Sequence, residues 1–436
     1  MEMKLVNRRK FIQNLSAAIA IPYIIPSCAW GGKNQVAPSD RITLGFIGVG
    51  EHGVGTNIRG FIKHDDCQIL AICDVDPLQI PKAKDTIYEK YGASYNDLSV
   101  TNDFREIIGR KDIDAIVIST PDHWHMQLGV MAARAGHDVF VEKPMTTNVE
   151  EGKIFCRVIS ETGRIVQVGS EQRCRPEFHK MAEIVRNGII GDLKHIDVGM
   201  PRGYPIKENL HDKRPQLEVC PPPEGFDYEM WTGPAPMSPY RPGRTHWNWR
   251  WVEELAEGQF NDYAHHLIDI AQWAHGTEDT LPISVEGSGI FPEEGYYTAA
   301  TDYDCLFTFS DGVTMRCFSG RTGHTFEGTK GTIINSGWGR LSADPESILD
   351  FQPGSGNVKL FLAESEHRNF LDCVKSRKKC YAHEGIGHRA ALFAHIGIIA
   401  MKLKRKLQFD PVSEIFVNDQ EANGMLRRPR RSPWII

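Results

Sequence analysis

Nine residues, NDYAHHLID (Asn261 to Asp269), carry two histidines and two aspartates. Apolar residues at Leu267, Ile270 and Trp273 allow a helix here, and a helix puts Asp262, His266 and Asp269 at i, i+4 and i+7, on one face. His265 then points about 100 degrees away, so only one of the two histidines can cooperate with Asp262. An imidazole beside a carboxylate can move a substrate proton. The same face could contribute ligands to a metal, or the Asp-His pair could simply satisfy itself on a partly buried helix. The spacing is not H-x3-H, and no metal is expected.

A second set of residues suits a dinucleotide. RITLGFIGVGEHGVG opens with a short apolar run, Ile42 to Ile47, which reads as a buried strand, and continues with Gly48, Gly50 and Gly53 in G-x-G-x-x-G spacing. The first glycine serves a tight turn, the second lets a pyrophosphate approach the backbone, and the third lets helix pack on strand. A second apolar strand, QILAIC, ends in Asp74, twenty-one residues past Gly53. A carboxylate there accepts from ribose hydroxyls and repels a 2'-phosphate, which favours NAD over NADP.

These residues need a scaffold, and the chain supplies alternating elements. DAIVIST is a strand, HWHMQLGVMAARAG a helix ending at Gly136, DVFVE a strand, NVEEGKIFCRVISETG a helix and RIVQVG a strand. Such alternation implies an α/β, doubly wound parallel sheet, a Rossmann domain over residues 41–168. Ligands of such sheets sit at the carboxyl ends of the strands, where STPDHWH (with Thr120, Pro121, His123 and His125) and EKP (Glu142, Lys143, Pro144) fall. From 169 to 436 the pattern becomes α+β. LKHIDVG, YDCLFTF and VTMRCF read as strands, with Asp311-Gly312 as a hairpin turn, and an open, mostly antiparallel sheet is expected. The Pro- and Trp-rich stretch between Lys207 and Gly258 is expected to wrap the cleft. Its Trp247, Trp249, Trp251 and Arg250, with Tyr263, could form an aromatic wall for a sugar ring; tryptophans at i, i+2, i+4 on a strand could equally fill a core.

The glycine fingerprint, STPDHWH, VEKP and D-x-x-x-H in a second domain together resemble the glucose-fructose oxidoreductase / inositol dehydrogenase (Gfo/Idh/MocA) family. The likeness extends through QVGSEQR, GPAPMSPY, FEGTKGTI and HRNFLDCVKSRK. It implies that Lys143 reaches the reacting hydroxyl or carbonyl beside the nicotinamide, that Pro144 is commonly cis, and that Asp262 and His266 form the family's Asp-x-x-x-His. Gly48, Gly50, Gly53, Asp74, Thr120, Pro121, His125 and Glu142 would hold NAD. Arg173, Tyr263, Trp249, Arg250 and His123 would line the substrate pocket. The expected chemistry is alcohol oxidation by hydride transfer on a sugar, polyol or glycoside, ring carbon 3 of a glycoside included. The rivals are an NAD-dependent glycosidase or lyase, in which Tyr263 or His265 would remove a C–H proton, and a noncatalytic sugar- or NAD-binding protein. A homo-oligomer, dimer or tetramer, is also implied.

The remaining chain sets outer bounds. A length of 436 residues implies at least two domains, and 41% hydrophobic with 24% charged residues is a globular composition. A net charge of -6 gives no bulk attraction to nucleic acid or anionic lipid, so the expected partner is a small carbohydrate and not nucleic acid. NRRKFI followed by the short apolar LSAAIAIPYII resembles a twin-arginine export signal within residues 1–40, so a periplasmic location is expected. An IPSC lipoprotein site at Cys28 would anchor the chain to a membrane, though Pro26 fits it poorly. Ten cysteines without a C-x2-C pair read mostly as buried thiols. The basic run Arg427-Arg428-Pro429-Arg430-Arg431 reads as a solvated or domain-clamping tail.

Overall fold

The computed structural model describes residues 36–434 except Leu210. The signal-like segment and Cys28 lie outside the described residues. Residues 36–41 include a short 3-10 turn, Pro38–Asp40; the chain from Ile42 onward forms one compact unit.

Six parallel strands make the first sheet: β1 (Ile42–Ile47), β2 (Cys67–Cys73), β3 (Ser99–Thr101), β4 (Ala115–Ile118), β5 (Asp138–Val141) and β6 (Val166–Val168), in the order β3-β2-β1-β4-β5-β6. This is the doubly wound order, whose direction reverses between β1 and β4 and opens a crevice at the carboxyl ends. β4 and β5 are buried along their whole length, as strands covered by helices on both faces must be. The expected helices are present with their punctuation. Asp122–Ala135 ends at Gly136, left-handed with φ 102°, and in Val149–Thr162 the Asn148 side chain accepts from Glu151 N before Gly163 stops the helix.

The second sheet has nine strands: β7 (Leu193–Met200), β8 (Ser284–Ile290), β9 (Asp302–Thr308), β10 (Thr314–Ser319), β11 (Gly323–Gly328), β12 (Gly331–Ser336), β13 (Arg340–Asp344), β14 (Leu407–Asp410) and β15 (Ile415–Phe416). Their order is β13-β12-β11-β7-β10-β9-β8-β14-β15, antiparallel apart from the β7–β10 pair. Gly312, φ 88°, turns β9 into β10 as Asp311-Gly312 suggests. One face of the sheet packs on Pro176–Arg186, Asp269–His275 and Glu384–Leu403. Glu384–Leu403 is apolar and long enough to span a bilayer, yet it is largely buried inside the protein.

The C-terminal arginines clamp. Arg428 pairs with Glu257 at 2.6 Å, Arg430 with Glu151 at 2.7 Å, and Arg431 with Glu229. Of the two readings of this run, the clamp is the one present. The described cysteines form no disulfide, and most are buried.

Candidate active site

Lys143 lies two residues beyond the end of β5. Its strand end is pinned by Glu142 N donating to Ile118 O (3.0 Å) and by the buried Glu142 carboxylate, which accepts from Asn57 Nδ2 (2.8 Å) and lies 3.0 Å from His52 Nε2 of the glycine loop. Burial alone would push that carboxyl up, but His52 and Asn57 outweigh it and hold it below the usual range. Glu142 therefore ties the glycine loop to the EKP turn. The Lys143–Pro144 peptide is cis.

Lys143 Nζ leaves the first domain and meets the second. It donates to Asp262 Oδ1 at 2.9 Å and to Asp262 O at 3.1 Å, with both side chains mostly buried. Arg250 Nε lies 3.7 Å from the same Oδ1. Burial opposes the Asp262 charge, yet the two cations prevail and hold its carboxyl far below the ordinary value. The His266 imidazole shares this environment: burial first, then the Lys143 ammonium, pushes it down to about 3, so it is neutral at physiological pH. His266 Nδ1 is buried without a hydrogen bond among the described residues.

The helix carrying these groups is not uniform. Gly258–Tyr263 is α-helical, Ala264–Ile268 is a π turn, and Asp269–His275 is α-helical again. Wider i→i+5 bonding in the π turn rotates the second α-helical segment relative to the first. Asp269 therefore leaves the face shared by Asp262 and His266, and the expected trio is a pair. Asp269 is buried and bonded to Ser170 Oγ (3.1 Å) and to both arms of Arg173 (2.6 and 2.7 Å). Arg173, also paired with Glu278 at 2.7 Å, has its donors committed to the protein, which corrects its expected substrate role. His265 is 1% exposed and burial pushes its imidazole down to about 3, which makes it a poor base for a substrate C–H.

Three other expectations are revised. The tryptophan stretch is not a strand: Asn248–Trp251 is a 3-10 turn. Trp251 is buried and stacks on Tyr204, and Trp249 is buried too. Trp249 serves Arg250, whose guanidinium sits 4.3 Å from the rings of both Trp247 and Trp249. His123 is buried against Trp231, its Nε2 3.0 Å from the Trp231 carbonyl, which takes that nitrogen from the substrate role expected of it. His125 lies between two strand-end turns, Nδ1 2.7 Å from Pro144 O and Nε2 2.7 Å from Thr120 O; burial keeps the ring neutral, so one nitrogen donates to a carbonyl.

Tyr263 stays half-buried, with its ring 5.9 Å from that of His266. Two groups near the centre escape a reading of the sequence. Trp338, 38% exposed in the β12–β13 turn, stands perpendicular to His266 at 5.8 Å and tilted against Tyr263 at 5.9 Å. The Gly-Trp-Gly setting, with Gly337 at φ 65° and Gly339 at φ 143°, marks a tight turn but not its destination. Asp122, buried at the start of its helix, has a carboxyl raised well above its ordinary value by burial and by Asp262.

The residues at the crevice fit a dinucleotide. Gly48 has φ 86°, and a Cβ there would come within 2.7 Å of the Ser119 carbonyl. A Cβ on Gly50 would meet nothing nearer than Gln79 Oε1 at 3.8 Å, so the room in front of it is a cradle that a side chain would fill. Asp74 holds the glycine loop by accepting from Val49 N (2.9 Å) and anchors the next turn through Asp76 N (3.0 Å). Burial pushes its carboxyl up to about 6. Thr120 Oγ1, at the end of β4, is buried with no hydrogen bond among the described residues. Pro121 begins the next helix in extended conformation.

Comparison with known proteins agrees. Residues 42–170 match the model of an oxidoreductase family's NAD-binding Rossmann fold, and residues 175–436 match that family's C-terminal alpha/beta domain. A glycosyl hydrolase family 109 protein 2 of Shewanella sp. (strain ANA-3) is 34% identical over 163 residues, 37% of this chain. That match spans only 35% of the relative's own length. Among solved structures, an aldose-aldose oxidoreductase from Caulobacter crescentus complexed with glycerol has a TM-score of 0.62 at 17% identity, covering 85% of this chain and all (100%) of that one. The WlbA dehydrogenase from Bordetella pertussis, in complex with NADH and UDP-GlcNAcA, has 0.63 at 16% identity over 85% and 99%. At these identities the structures show a shared fold. Because the two family matches take in both sheets and the crevice between their residues, the chain belongs to the Gfo/Idh/MocA oxidoreductase family, and its first domain is the family's NAD-binding Rossmann fold.

Proposed function

We propose that the protein is an NAD-dependent oxidoreductase that oxidises a hydroxyl of a sugar, polyol or glycoside, or reduces the corresponding ketone. The observation that carries this reading is the Lys143–Asp262 contact at 2.9 Å, which joins the end of β5 to the helix that presents His266. Bound NAD supplies the acceptor for the hydride that leaves the carbinol carbon. His266 Nε2 takes the hydroxyl proton, while Lys143 Nζ donates a hydrogen bond to the same oxygen. The charge that depresses imidazole basicity also stabilises negative charge growing on that oxygen. Asp262, with Arg250 behind it, fixes the ammonium. Trp338 and Tyr263 provide aromatic faces for the C–H side of a sugar ring.

Ring carbon 3 of a glycoside, a homo-oligomeric enzyme and export by the twin-arginine route complete the proposal. An exported enzyme has no soluble nicotinamide pool, so the cofactor must stay bound. The test is to denature the purified protein and assay the supernatant for NAD, then to identify by NMR the oxidised carbon formed from a panel of glycosides. Retained NAD and a ketosugar product support the reading; an empty protein that binds NAD only weakly refutes it.

The similarity to a glycosyl hydrolase family 109 protein favours a second reading, in which oxidation, elimination and reduction cleave a glycosidic bond. That route needs a base for an acidified C–H. His265 is buried, and Tyr263 is raised by burial and by Asp262, which leaves its phenol protonated at neutral pH. Hydrolysis without net NADH would establish it over the first reading.

A further inference from the structure

We propose that Asp76, His211 and His246 form a binding site for a divalent cation of the zinc class, joining the turn after β2 to the segment between Lys207 and Gly258. Asp76 lies two residues beyond Asp74. One of its oxygens, Oδ1, caps the short turn Pro77–Gln79 by accepting from Leu78 N at 3.0 Å. The other, Oδ2, faces two imidazoles: His246 Nε2 at 2.8 Å and His211 Nε2 at 3.9 Å. The three ligand atoms all lie within 4.8 Å of one another.

The geometry suits tetrahedral coordination. With metal–ligand bonds of about 2.0–2.1 Å, neighbouring ligand atoms of a tetrahedron stand about 3.3 Å apart. The 2.8 and 3.9 Å edges bracket that value and the third is no longer than 4.8 Å, so side-chain rotations bring the three ligands to three corners of a tetrahedron and leave the fourth to water. The imidazoles are 5.0 Å apart and crossed at 71°, an edge-on arrangement rather than a stack. Asp76 is 6% exposed and the histidines 22% and 18%, so bulk water is largely excluded while an ion can still enter. One carboxylate with two imidazoles is a borderline-soft set that selects zinc-like ions over magnesium or calcium. Gln79 Nε2 lies 2.7 Å from His211 Nε2 and donates to Asp76 Oδ2 at 3.3 Å, so its amide bridges two of the ligand atoms and swings aside when an ion takes their lone pairs.

The backbone also indicates a built feature. His246 has φ 66°, in the left-handed region where a residue other than glycine is strained. Such strain persists only where the surroundings enforce it, and ligand clamps are one such place. An ion here would strap the segment that carries His211 and His246 to the turn after Asp74.

The experiment uses the tag-free full chain, stripped with a chelator and dialysed against buffered Zn2+ alone or Co2+ alone, with metal measured by mass spectrometry. The expected result is about one ion per chain, Co2+ absorption bands of tetrahedral intensity, and a melting temperature raised by Zn2+. His211→Gln and His246→Ala should each lower Zn2+ affinity at least roughly tenfold and abolish the melting shift. His195→Ala, which removes a histidine paired with Asp197 elsewhere, should change neither. His211 is partly exposed, so its variant tests the site even if His246→Ala misfolds. Substoichiometric metal, or equal metal in wild type and His211→Gln, means an adventitious ion only and overturns the proposal. NAD content, measured in parallel, separates loss of this site from failure of the oxidoreductase reading.

Discussion

Lys143 Nζ and Asp262 Oδ1 stand 2.9 Å apart although 119 residues separate them in the chain. One follows a parallel strand and the other sits on a helix packed against the second sheet, so the contact exists only when both domains are assembled. Lys143→Ala should lower kcat by about 10²- to 10⁴-fold, the usual worth of a group acting on a transferred proton. Its NAD content should match wild type. Asp262→Asn should keep the lysine in place more loosely and cost less. Steady-state kinetics with cofactor quantification checks both.

Asp74 gives a pH prediction. Its folded carboxyl is raised to about 6 from an ordinary value near 4, so the folded protein holds a proton there that the unfolded chain has released. In the cofactor-free protein this contribution to stability is present at low pH and is lost as pH rises from about 4 to about 6. Cofactor binding has the opposite sign, because ribose hydroxyls need the ionised acceptor: NAD affinity should weaken as pH falls below about 6. Calorimetric titration across pH 5 to 8 reads this, and in Asp74→Asn the dependence through that window should flatten.

Arg173 is structural. Replacing it with methionine leaves Asp269 buried without its partner, a change that costs about 3–5 kcal/mol. A lower melting temperature is expected, with KM for the sugar unchanged in whatever fraction folds. A selective rise in KM at unchanged melting temperature would return Arg173 to the substrate pocket.

Trp338→Ala removes the aromatic face beside His266. Aromatic contacts of this kind contribute about 0.5–1.5 kcal/mol, so KM should rise roughly three- to tenfold with kcat less affected. Trp338→Phe should recover most of the loss.

The first domain is legible in the sequence because its signals are local: a strand, a glycine turn and an acid at fixed spacing each report on neighbouring residues. Asp262 and His266 are legible for the same reason. Asp269 is misplaced by the sequence because helical periodicity assumes uniform turns, and the Ala264–Ile268 π turn breaks that assumption without a marker in the residue types. Arg173 and His123 have the right chemistry for a pocket, but burial depends on what packs over them: Glu278 and Asp269 for one, Trp231 for the other. Trp338 is the converse case, an aromatic in an exposed turn that long-range strand pairing delivers to His266.

Isotope transfer tests the proposed chemistry most directly. A glycoside deuterated at the carbon that is oxidised, mixed with purified enzyme in a single turnover, should leave its deuterium on the nicotinamide ring of the bound cofactor, read by mass spectrometry. Transfer should be at least roughly 10²-fold slower in His266→Asn. A protein that alters the glycoside while the label never reaches the nicotinamide, or that transfers it equally fast without His266, would contradict this assignment of the site.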